Sequence, residues 1–427
     1  MNGSLVSDLG LGPEVWLFLS LLGCVTLFFK FSRVWSVRNL DLFLVFALVP
    51  GMMMVVGDGS ATPWLAFVLL FLGSAAWLVR CLVDLGLPRR PLLEPNLNAS
   101  GLLCLSVGVL GLLLVETVSL PVEEGAARNP AKPSGREDPA DPAPAPGEDN
   151  PAVKQVIEIA PLPNSLKHQR PQVIVSRVLA VLAHLALVSG LWLIGWKHFE
   201  RSITGLSMAA CYLLLPYTRM SLVDSGQLIS SALIIYAVFW HARPAISGLL
   251  IGLAAGWIPA CLGLIALWTG YYQGRARVVY FSVAASVAVG CAVIGALGAA
   301  LGLGLSDWAR ALGARSIAEV GLLPRFEPRG TGSFWMGIDS SFRLPVLIGY
   351  FALVMVTVFW PARKDFAQLI ALSAALLAAS QFWYLDKGGT LVLLYLPLAL
   401  LVMFRPTMSA RRLFRISRQR ASGTLSP

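Results

Sequence analysis

Charge is scarce in this chain. Only 13% of its 427 residues are Asp, Glu, Lys or Arg, whereas 56% are hydrophobic. A water-soluble domain of this length needs a far larger share of polar residues to cover its surface. The composition therefore excludes an ordinary soluble protein and predicts a chain that lies in a membrane.

Motifs for several common chemistries are also missing. The sequence has no Walker A loop, no GxSxG motif, no HExxH motif and no CxxC pair. These absences argue against ATP-driven pumping, serine hydrolysis and zinc catalysis, and we expect neither a metal nor a cofactor. The cysteines fall in apolar segments, where they are predicted to be small core residues rather than disulfides. They are Cys24, Cys81, Cys104, Cys211, Cys261 and Cys291.

Long apolar runs are abundant instead. An α-helix needs roughly 20 apolar residues to cross a hydrocarbon core of about 30 Å. The sequence predicts crossings near 14–32, 40–57, 63–83, 100–118, 173–196, 203–217, 226–241, 278–303, 343–360, 367–384 and 389–404. We therefore expect an all-α, polytopic transmembrane helical bundle with about 11–13 crossings.

The number of crossings depends on the apolar run from Pro244 to Gly270, because the segment Gly256-Trp257-Ile258-Pro259 interrupts this run. Proline removes a backbone donor and clashes with the preceding turn, so the run is either one kinked helix or a hairpin of two short helices. Cytoplasmic loops carry lysine and arginine in excess. Only a hairpin keeps the arginine-rich C-terminal tail on the same side as the earlier basic loops, and we therefore predict a hairpin.

With the N-terminus outside, the basic residues collect on one side of the membrane. The short outer loops contain Arg219 and Lys387. The inner loops contain Lys30, Arg33, Arg38, Arg80, Arg89, Arg90, Lys197, Arg201, Arg243, Arg275, Arg277, Arg363, Lys364 and the six arginines from Arg405 to Arg420. This pattern predicts an integral protein of the inner (cytoplasmic) membrane with a cytoplasmic C-terminus. It also explains the net charge of +10, so we expect membrane lipids as partners and no nucleic acid.

The predicted segments divide the chain into four regions. Residues 1–118 form an N-terminal four-helix membrane region, 119–172 an external linker, 173–404 a helical membrane core and 405–427 a basic cytoplasmic tail. The linker is rich in Pro, Ala, Gly and acidic residues and has no apolar periodicity. Such a composition cannot bury enough surface to fold alone, which predicts a disordered linker.

The outer loop 304–342 combines arginines with aromatic residues. We expect Ser306 and Asp307 to cap a short amphipathic helix that continues to Val320 on the membrane face. Arginines beside aromatics at a membrane face suit an anionic lipid headgroup or a phosphate. The residues concerned are Arg310, Arg315, Arg325, Arg329, Arg343, Trp308, Phe334 and Trp335.

The segment from Tyr217 to Trp268 carries a family resemblance. A Gly-Gln pair is followed by an apolar helix, a basic-Pro turn, the stretch GLLIGLAAG, a proline and a further apolar helix. This order resembles the middle of the polyprenol-phosphate-sugar-dependent membrane glycosyltransferases of the GT-C fold, in their mannosyltransferase-like branch. The residues that carry the resemblance are Gly226, Gln227, Arg243, Pro244, Gly248, Gly252, Gly256 and Pro259.

Two positions differ from that branch. Ile229 stands where a polar residue is usual, and Trp257 stands where a lysine is usual. A larger part of the chain, from His184 to Pro406, also resembles a group of uncharacterised multi-pass membrane proteins of planctomycete bacteria. That second resemblance implies no particular activity.

The GT-C resemblance implies a polyprenyl-phosphate sugar donor and a catalytic carboxylate in the first large outer loop, which makes Glu116 and Glu123 candidates. Asp224 is a third candidate, because it lies beside Arg219 at the outer membrane edge and sugar transfer to a hydroxyl needs a general base. Capping of the following helix is the alternative role for Asp224, and contact with water at a helix end is the alternative for Glu116. The predicted substrate-binding residues are Gln227, Arg219, Arg310, Arg325, Arg329 and Trp335.

His184 lies in the middle of a predicted crossing. An ionisable residue inside a membrane is a candidate for a functional site. The alternative is a neutral histidine that forms hydrogen bonds with a neighbouring helix, since burial favours the uncharged ring.

Two functions are consistent with this sequence. One is a GT-C-like glycosyltransferase acting on the outer face of the membrane. The other is a non-enzymatic multi-pass protein, namely a lipid or polysaccharide transporter or a scaffold. Secondary transporters have broken helices at matching positions of two repeats, and the sequence contains one clear break, from Gly256 to Pro259.

Reporter fusions test the predicted orientation. A fusion at Arg420 should report the cytoplasm and a fusion within the linker at Pro144 should report the outside, because positive charge is retained on the inner side. Alkaline phosphatase and green fluorescent protein, which are active on opposite sides, provide the measurement. If both positions report the same side, residues 244–270 form a single crossing.

Overall fold

The computed structural model describes residues 12–56, 63–87, 93–119, 164–302, 304–315, 335, 340–385 and 388–406. In these ranges the chain folds into α-helices joined by turns, and none of these residues lies in a β-strand. The predicted all-α class is therefore confirmed for the described part of the chain.

The described helices vary in length from 5 to 34 residues. They are α1 Pro13–Phe28, α2 Val37–Phe46, α3 Val49–Val56, α4 Pro63–Val83, α5 Ala99–Ser119, α6 Asn164–Lys197, α7 Ser202–Leu214, α8 Pro216–Met220, α9 Ser225–Phe239, α10 Pro244–Trp257, α11 Leu262–Tyr271, α12 Gly274–Ala300, α13 Leu305–Ala311, α14 Arg343–Phe359, α15 Phe366–Ser380 and α16 Val392–Phe404. Single turns of 3-10 helix occur at Phe31–Arg33, Asp84–Gly86, Pro259–Cys261 and Ser340–Phe342.

Within the described ranges, five helical stretches are long and apolar enough to cross a membrane, and eight further apolar helices have 10–17 residues. The five are Val37–Val55, Trp64–Gly86, Ala99–Val118, Pro171–Lys197 and Gly274–Ala300. A helix rises 1.5 Å per residue, so each shorter helix spans only part of a hydrocarbon core of about 30 Å. The membrane class of the chain is thus supported, and the described bundle combines spanning helices with shorter ones.

The predicted hairpin between Pro244 and Gly270 is present. Helix α10 ends at Trp257, a 3-10 turn begins at Pro259, and α11 returns toward the start of α10. The Tyr272 hydroxyl after α11 donates to the His241 carbonyl oxygen, 2.6 Å away, and lies 2.7 Å from Ser247 Oγ. Because these contacts join the two ends of the run, one long kinked helix is excluded.

Glycines let α10 approach α12 closely. A Cβ atom on Gly248 would lie 2.8 Å from the Tyr280 carbonyl oxygen, and one on Gly252 would lie 2.7 Å from that of Ala284. Contacts that short do not occur in stable proteins, so any larger residue would push the helices apart. Small residues serve the same purpose in other membrane helix pairs. Helix packing therefore explains the presence of Gly248 and Gly252, two of the residues on which the GT-C resemblance is based.

The N-terminal helices pack directly against the rest of the bundle. The Tyr217 hydroxyl of α8 donates to the Val45 carbonyl oxygen of α2. Ser74 Oγ of α4 lies 3.3 Å from the Tyr395 hydroxyl of α16. Both contacts are buried, so the N-terminal helices and the later helices share one core.

The boundary between linker and core differs from the prediction. Helix α6 begins at Asn164, whereas the core was expected from residue 173. Pro171 lies inside this helix. Residues 120–163 lie outside the described part of the chain. The predicted cysteine environment also needs correction, because Cys104 is exposed on the bundle surface and Cys291 is half-buried, while the other four are buried.

Several of the described basic residues from the predicted inner loops form contacts near one another. Arg38 donates to the carbonyl oxygen of Glu94, and the Glu94 carboxylate lies 3.6 Å from Arg201. We refer to the end that contains Arg38, Arg80, Arg201 and Arg405 as the Arg80 end. The opposite end is called the Asp224 end.

A buried ionic network occupies the Arg80 end. Arg80 contacts both oxygens of Asp41, with 2.7 Å between Nη2 and Oδ2, and its Nη1 atom lies 2.7 Å from Asp84 Oδ1. Arg405, which follows α16, bonds to the other oxygen of Asp84. Two carboxylates thus balance two guanidinium groups, and the network joins α2, α4 and α16.

Breaking this network should cost far more stability than breaking an exposed ion pair. Asp84→Ala leaves a buried guanidinium without one of its carboxylates, which costs about 3–5 kcal/mol. Glu94→Ala is the control, since the Arg201–Glu94 side chains are 46% and 67% exposed, and such pairs contribute about 0–1 kcal/mol. Unfolding free energies in mixed detergent micelles provide the measurement. Similar losses in both variants would contradict a stabilising role for the network.

Candidate functional site at the Asp224 end

Asp224 caps helix α9. Its Oδ1 atom accepts from the backbone N–H of Gln227 at 3.4 Å, and its Oδ2 atom accepts from the Gln227 Nε2 group at 2.9 Å. Side-chain acceptors at this position satisfy the free N–H groups of a helix start. The capping role is confirmed, and it engages both oxygens of Asp224 with the same residue.

Gln227 is only 3% exposed, and its carbonyl atom Oε1 has no hydrogen-bond partner among the described residues. Ser230, one turn further along α9 and fully buried, also has a hydroxyl without a partner in the described structure. Residues three apart on a helix share a face. Two unsatisfied polar groups thus lie near each other on one face of α9.

Arg219 forms an ion pair with Glu116. The Arg219 Nη2 and Glu116 Oε1 atoms are 3.6 Å apart, and the two side chains are 13% and 5% exposed. The guanidinium carbon lies 5.1 Å from the ring centre of Trp16, a distance typical of a cation–π contact. Burial lowers the pKa of Arg219 from its ordinary value, and the neighbouring Glu116 opposes that change.

This pairing corrects two expectations. Arg219 was placed beside Asp224, but the ion pair that it forms joins it to Glu116 in α5. Glu116 was expected to reach water at a helix end, but it is 4% exposed. The reason is that α5 packs against α7 and that Arg219 of α8 pairs with the Glu116 carboxylate.

A short segment, Leu312–Arg315, crosses the start of α9, and we call it the strap. Ser225 Oγ donates to the Leu312 carbonyl oxygen at 2.9 Å, and the backbone N–H of Arg315 donates to the Trp257 carbonyl oxygen at 2.9 Å. Between these bonds Gly313, at φ +80°, lies against Gly226, where an added Cβ would be 2.5 Å from the Gly313 carbonyl oxygen. The strap therefore holds residues 312–315 onto the Asp224 end.

The helix predicted in this loop is shorter than expected. Helix α13 begins after Gly304, which has a left-handed φ of +65°, and ends at Ala311. It does not continue to Val320, because the strap leaves the helix to reach α9 and α10. Ser306 and Asp307 lie within α13 rather than before it.

The remaining predicted site residues are dispersed. Arg310 is exposed on α13. Trp335 is buried, and its indole N–H donates to the Phe382 carbonyl oxygen at 2.9 Å, so it packs beyond the end of α15. Arg343 donates from Nε to the Trp383 carbonyl oxygen at 2.7 Å. Glu123, Arg325 and Arg329 lie outside the described residues.

His184 has the surroundings expected of a structural histidine, which forms hydrogen bonds with neighbouring segments. Its Nδ1 atom lies 3.0 Å from the Tyr212 hydroxyl, and its Nε2 atom lies 3.3 Å from the Leu222 carbonyl oxygen. Both ring nitrogens therefore tie α6 to neighbouring segments. Among the described residues, no three His, Cys, Asp or Glu side chains are grouped as metal ligands would be.

Comparison with known proteins adds no family. The chain matches no protein-family model, no curated protein and no solved structure.

Two features of the site were missed in the sequence. Helix α7 ends at Leu214 and α8 starts at Pro216, so the segment predicted as one crossing from 203 to 217 is broken. Pro216 was the available signal. The pairing of Glu116 with Arg219 had no sequence signal, because the two residues are brought together only by the packing of α5 against α7.

Substitutions at Asp224 separate charge from capping. Asp224→Ala removes the acceptor for the Gln227 N–H and should destabilise the protein by about 1 kcal/mol. Asp224→Asn keeps an acceptor and should remain close to wild type in stability. Thermal unfolding in detergent measures the stability of both variants. Equal destabilisation by the two variants would show that the charge of Asp224, rather than its capping bond, stabilises α9.

Proposed function

We propose that this protein is an integral membrane glycosyltransferase of the GT-C type, which transfers a sugar from a polyprenyl-phosphate donor to an acceptor on the outer face of the membrane. The observation that carries the proposal is the buried Glu116–Arg219 pair, with its 3.6 Å separation, at the Asp224 end. It brings together a carboxylate and a cation, the two groups that such a transfer requires.

In the proposed reaction the acceptor oxygen forms a bond to the anomeric carbon of the sugar. The bond between that carbon and the donor phosphate oxygen breaks, and the lipid phosphate leaves with its electron pair. Glu116 accepts the proton of the acceptor hydroxyl as general base. Arg219 stabilises the negative charge of the departing phosphate, for which a guanidinium group is well suited.

Glu116 is preferred to Asp224 as the base, because both oxygens of Asp224 already accept from Gln227. Glu123 stays a second candidate from the same part of the chain. We assign phosphate binding to the arginines of loop 304–342 as well, namely Arg310, Arg325 and Arg329. The strap supports the part of this assignment that concerns Arg310, since the bonds from Ser225 to Leu312 and from Arg315 to Trp257 hold the residues next to it at the Asp224 end.

The proposed orientation places the Arg80 end in the cytoplasm of a cell whose inner membrane holds the protein. The contacts among Arg38, Glu94 and Arg201 support it, because they bring separate basic loops to one end. Positive charge is retained on the cytoplasmic side during insertion. The C-terminal tail, which follows Arg405, would then be cytoplasmic.

The test is a matched pair of substitutions in the full-length protein in nanodiscs. Glu116→Gln keeps size but removes the base, so release of lipid phosphate from decaprenyl-phosphate mannose should fall by about 100-fold or more. Transfer to water supplies the assay without an assigned acceptor. Glu94→Gln, the same change in an exposed pair at the opposite end, should leave the rate unaltered. No release in the wild type, or equal rates in both variants, would contradict the proposal.

Transport is the second candidate function, because the structure contains two broken helices. Leu215 and Ile258 both leave helical geometry, with φ and ψ of −66° and 138° and of −130° and 112°, and each is followed by proline. Discontinuous helices mark the binding sites of many transporters. Movement of a fluorescent polyprenyl phosphate across proteoliposome membranes, without any loss of sugar from its mannosyl ester, would favour transport over transfer.

A further inference from the structure

Two cations lie against one tryptophan ring at the Arg80 end. The Lys197 ammonium nitrogen is 4.6 Å from the ring centre of Phe239 and 5.1 Å from that of Trp240. The Arg243 guanidinium carbon is 4.8 Å from the same Trp240 ring. Cation–π contacts of this length are attractive. The ring therefore keeps Lys197, the last residue of α6, close to Arg243, the residue before α10.

The positive charges of Lys197 and Arg243 are not balanced by ion pairs within the described part of the chain, where the ion pairs involve other side chains. Both residues are exposed. Burial lowers the pKa of the neighbouring His241 to about 4, and the charges of His198 and Lys197 contribute to this change. Asp365, in the same region, caps α15. The two cations are thus available to an anion from outside the chain.

Exposed tryptophans identify this part of the surface as a membrane interface. Trp192 and Trp196 of α6 stack with 6.3 Å between their ring centres, and they are 39% and 57% exposed. On the lipid-facing surface of membrane proteins, tryptophan concentrates at the level of the lipid headgroups. Lys197 follows Trp196 directly, and Arg201 of the Arg80 end is four residues further on. We therefore expect Lys197 and Arg243 to lie at the level of the lipid phosphates.

We propose that Lys197 and Arg243, held by Trp240, bind the phosphodiester group of an anionic phospholipid such as phosphatidylglycerol. Phosphate oxygens accept charge-assisted hydrogen bonds from ammonium and guanidinium groups. A headgroup with a net negative charge suits two unbalanced cations, whereas the choline of a zwitterionic lipid adds a third positive charge.

The lipid belongs to the cytoplasmic leaflet in the proposed orientation, since that leaflet is the one at the Arg80 end. Its anionic lipids attract basic residues near the membrane surface. A phosphate that contacts both cations also links α6 to the turn between α9 and α10. His198 joins the same two segments, because its Nε2 atom lies 2.9 Å from the Phe239 carbonyl oxygen. The site is separate from Glu116 and Arg219 and goes beyond the proposed transfer reaction.

The test measures lipid binding to the full-length protein in detergent by native mass spectrometry. It compares phosphatidylglycerol with phosphatidylcholine of identical acyl chains. Wild type should bind the first phosphatidylglycerol molecule about 10-fold more tightly, the gain expected of two cations near a lipid phosphate. The double variant with Lys197→Gln and Arg243→Gln should bind the two lipids equally, because both cations are gone.

The matched control is the double variant with Arg275→Gln and Arg363→Gln. It removes two exposed arginines from other predicted inner loops, so the total charge changes equally, and it should keep the preference for phosphatidylglycerol. Equal affinity of wild type for the two lipids would overturn the proposal. The same loss in both double variants would overturn it too, since unspecific attraction to total charge predicts that result.

Inorganic phosphate separates a lipid site from a site for a free anion. It should not displace phosphatidylglycerol from wild type, because it lacks the acyl chains that hold the lipid at the protein surface. Complete displacement would overturn the proposal. None of these measurements involves sugar transfer, so a negative result here leaves the proposed function unaffected.

Discussion

Backbone groups that face lipid have no water to bond with, and this constraint organises the whole bundle. Every spanning segment must be helical so that its N–H and C=O groups bond internally. At two described helix ends another part of the chain satisfies an exposed carbonyl group. After α7 the Thr218 hydroxyl donates to the Tyr212 carbonyl oxygen, and after α10 the Arg315 N–H donates to that of Trp257. The broken helices therefore depend on α8 and on the strap.

The two ends of the bundle handle buried polarity in different ways. At the Arg80 end the four charges of the ionic network are paired, which fits a structural junction between early and late helices. At the Asp224 end Gln227 Oε1 and Ser230 Oγ have no partner among the described residues. A paired network holds helices together, whereas an unsatisfied buried polar group lowers stability.

Glycine illustrates how one residue type acquires two roles from its surroundings. Gly248 and Gly252 allow α10 to lie against the backbone of α12. Gly226 and Gly313 allow a loop to cross a helix start, and Gly313 also adopts a left-handed φ of +80° that favours glycine. Packing thus explains these glycines of the segment that resembles the GT-C family. It does not explain Gln227, whose Oε1 atom has no hydrogen-bond partner among the described residues.

The sequence alone was sufficient for the helical class and the hairpin at Pro259, and it offered the cap at Asp224 as one of two roles for that residue. Each depends on composition, spacing or neighbouring residues, which are visible along the chain. It could not place Arg219 with Glu116, bring the strap onto Gly226 or separate Trp335 from the other candidates. Those contacts join residues far apart in sequence, and only the packing of helices against one another decided which side chains would meet.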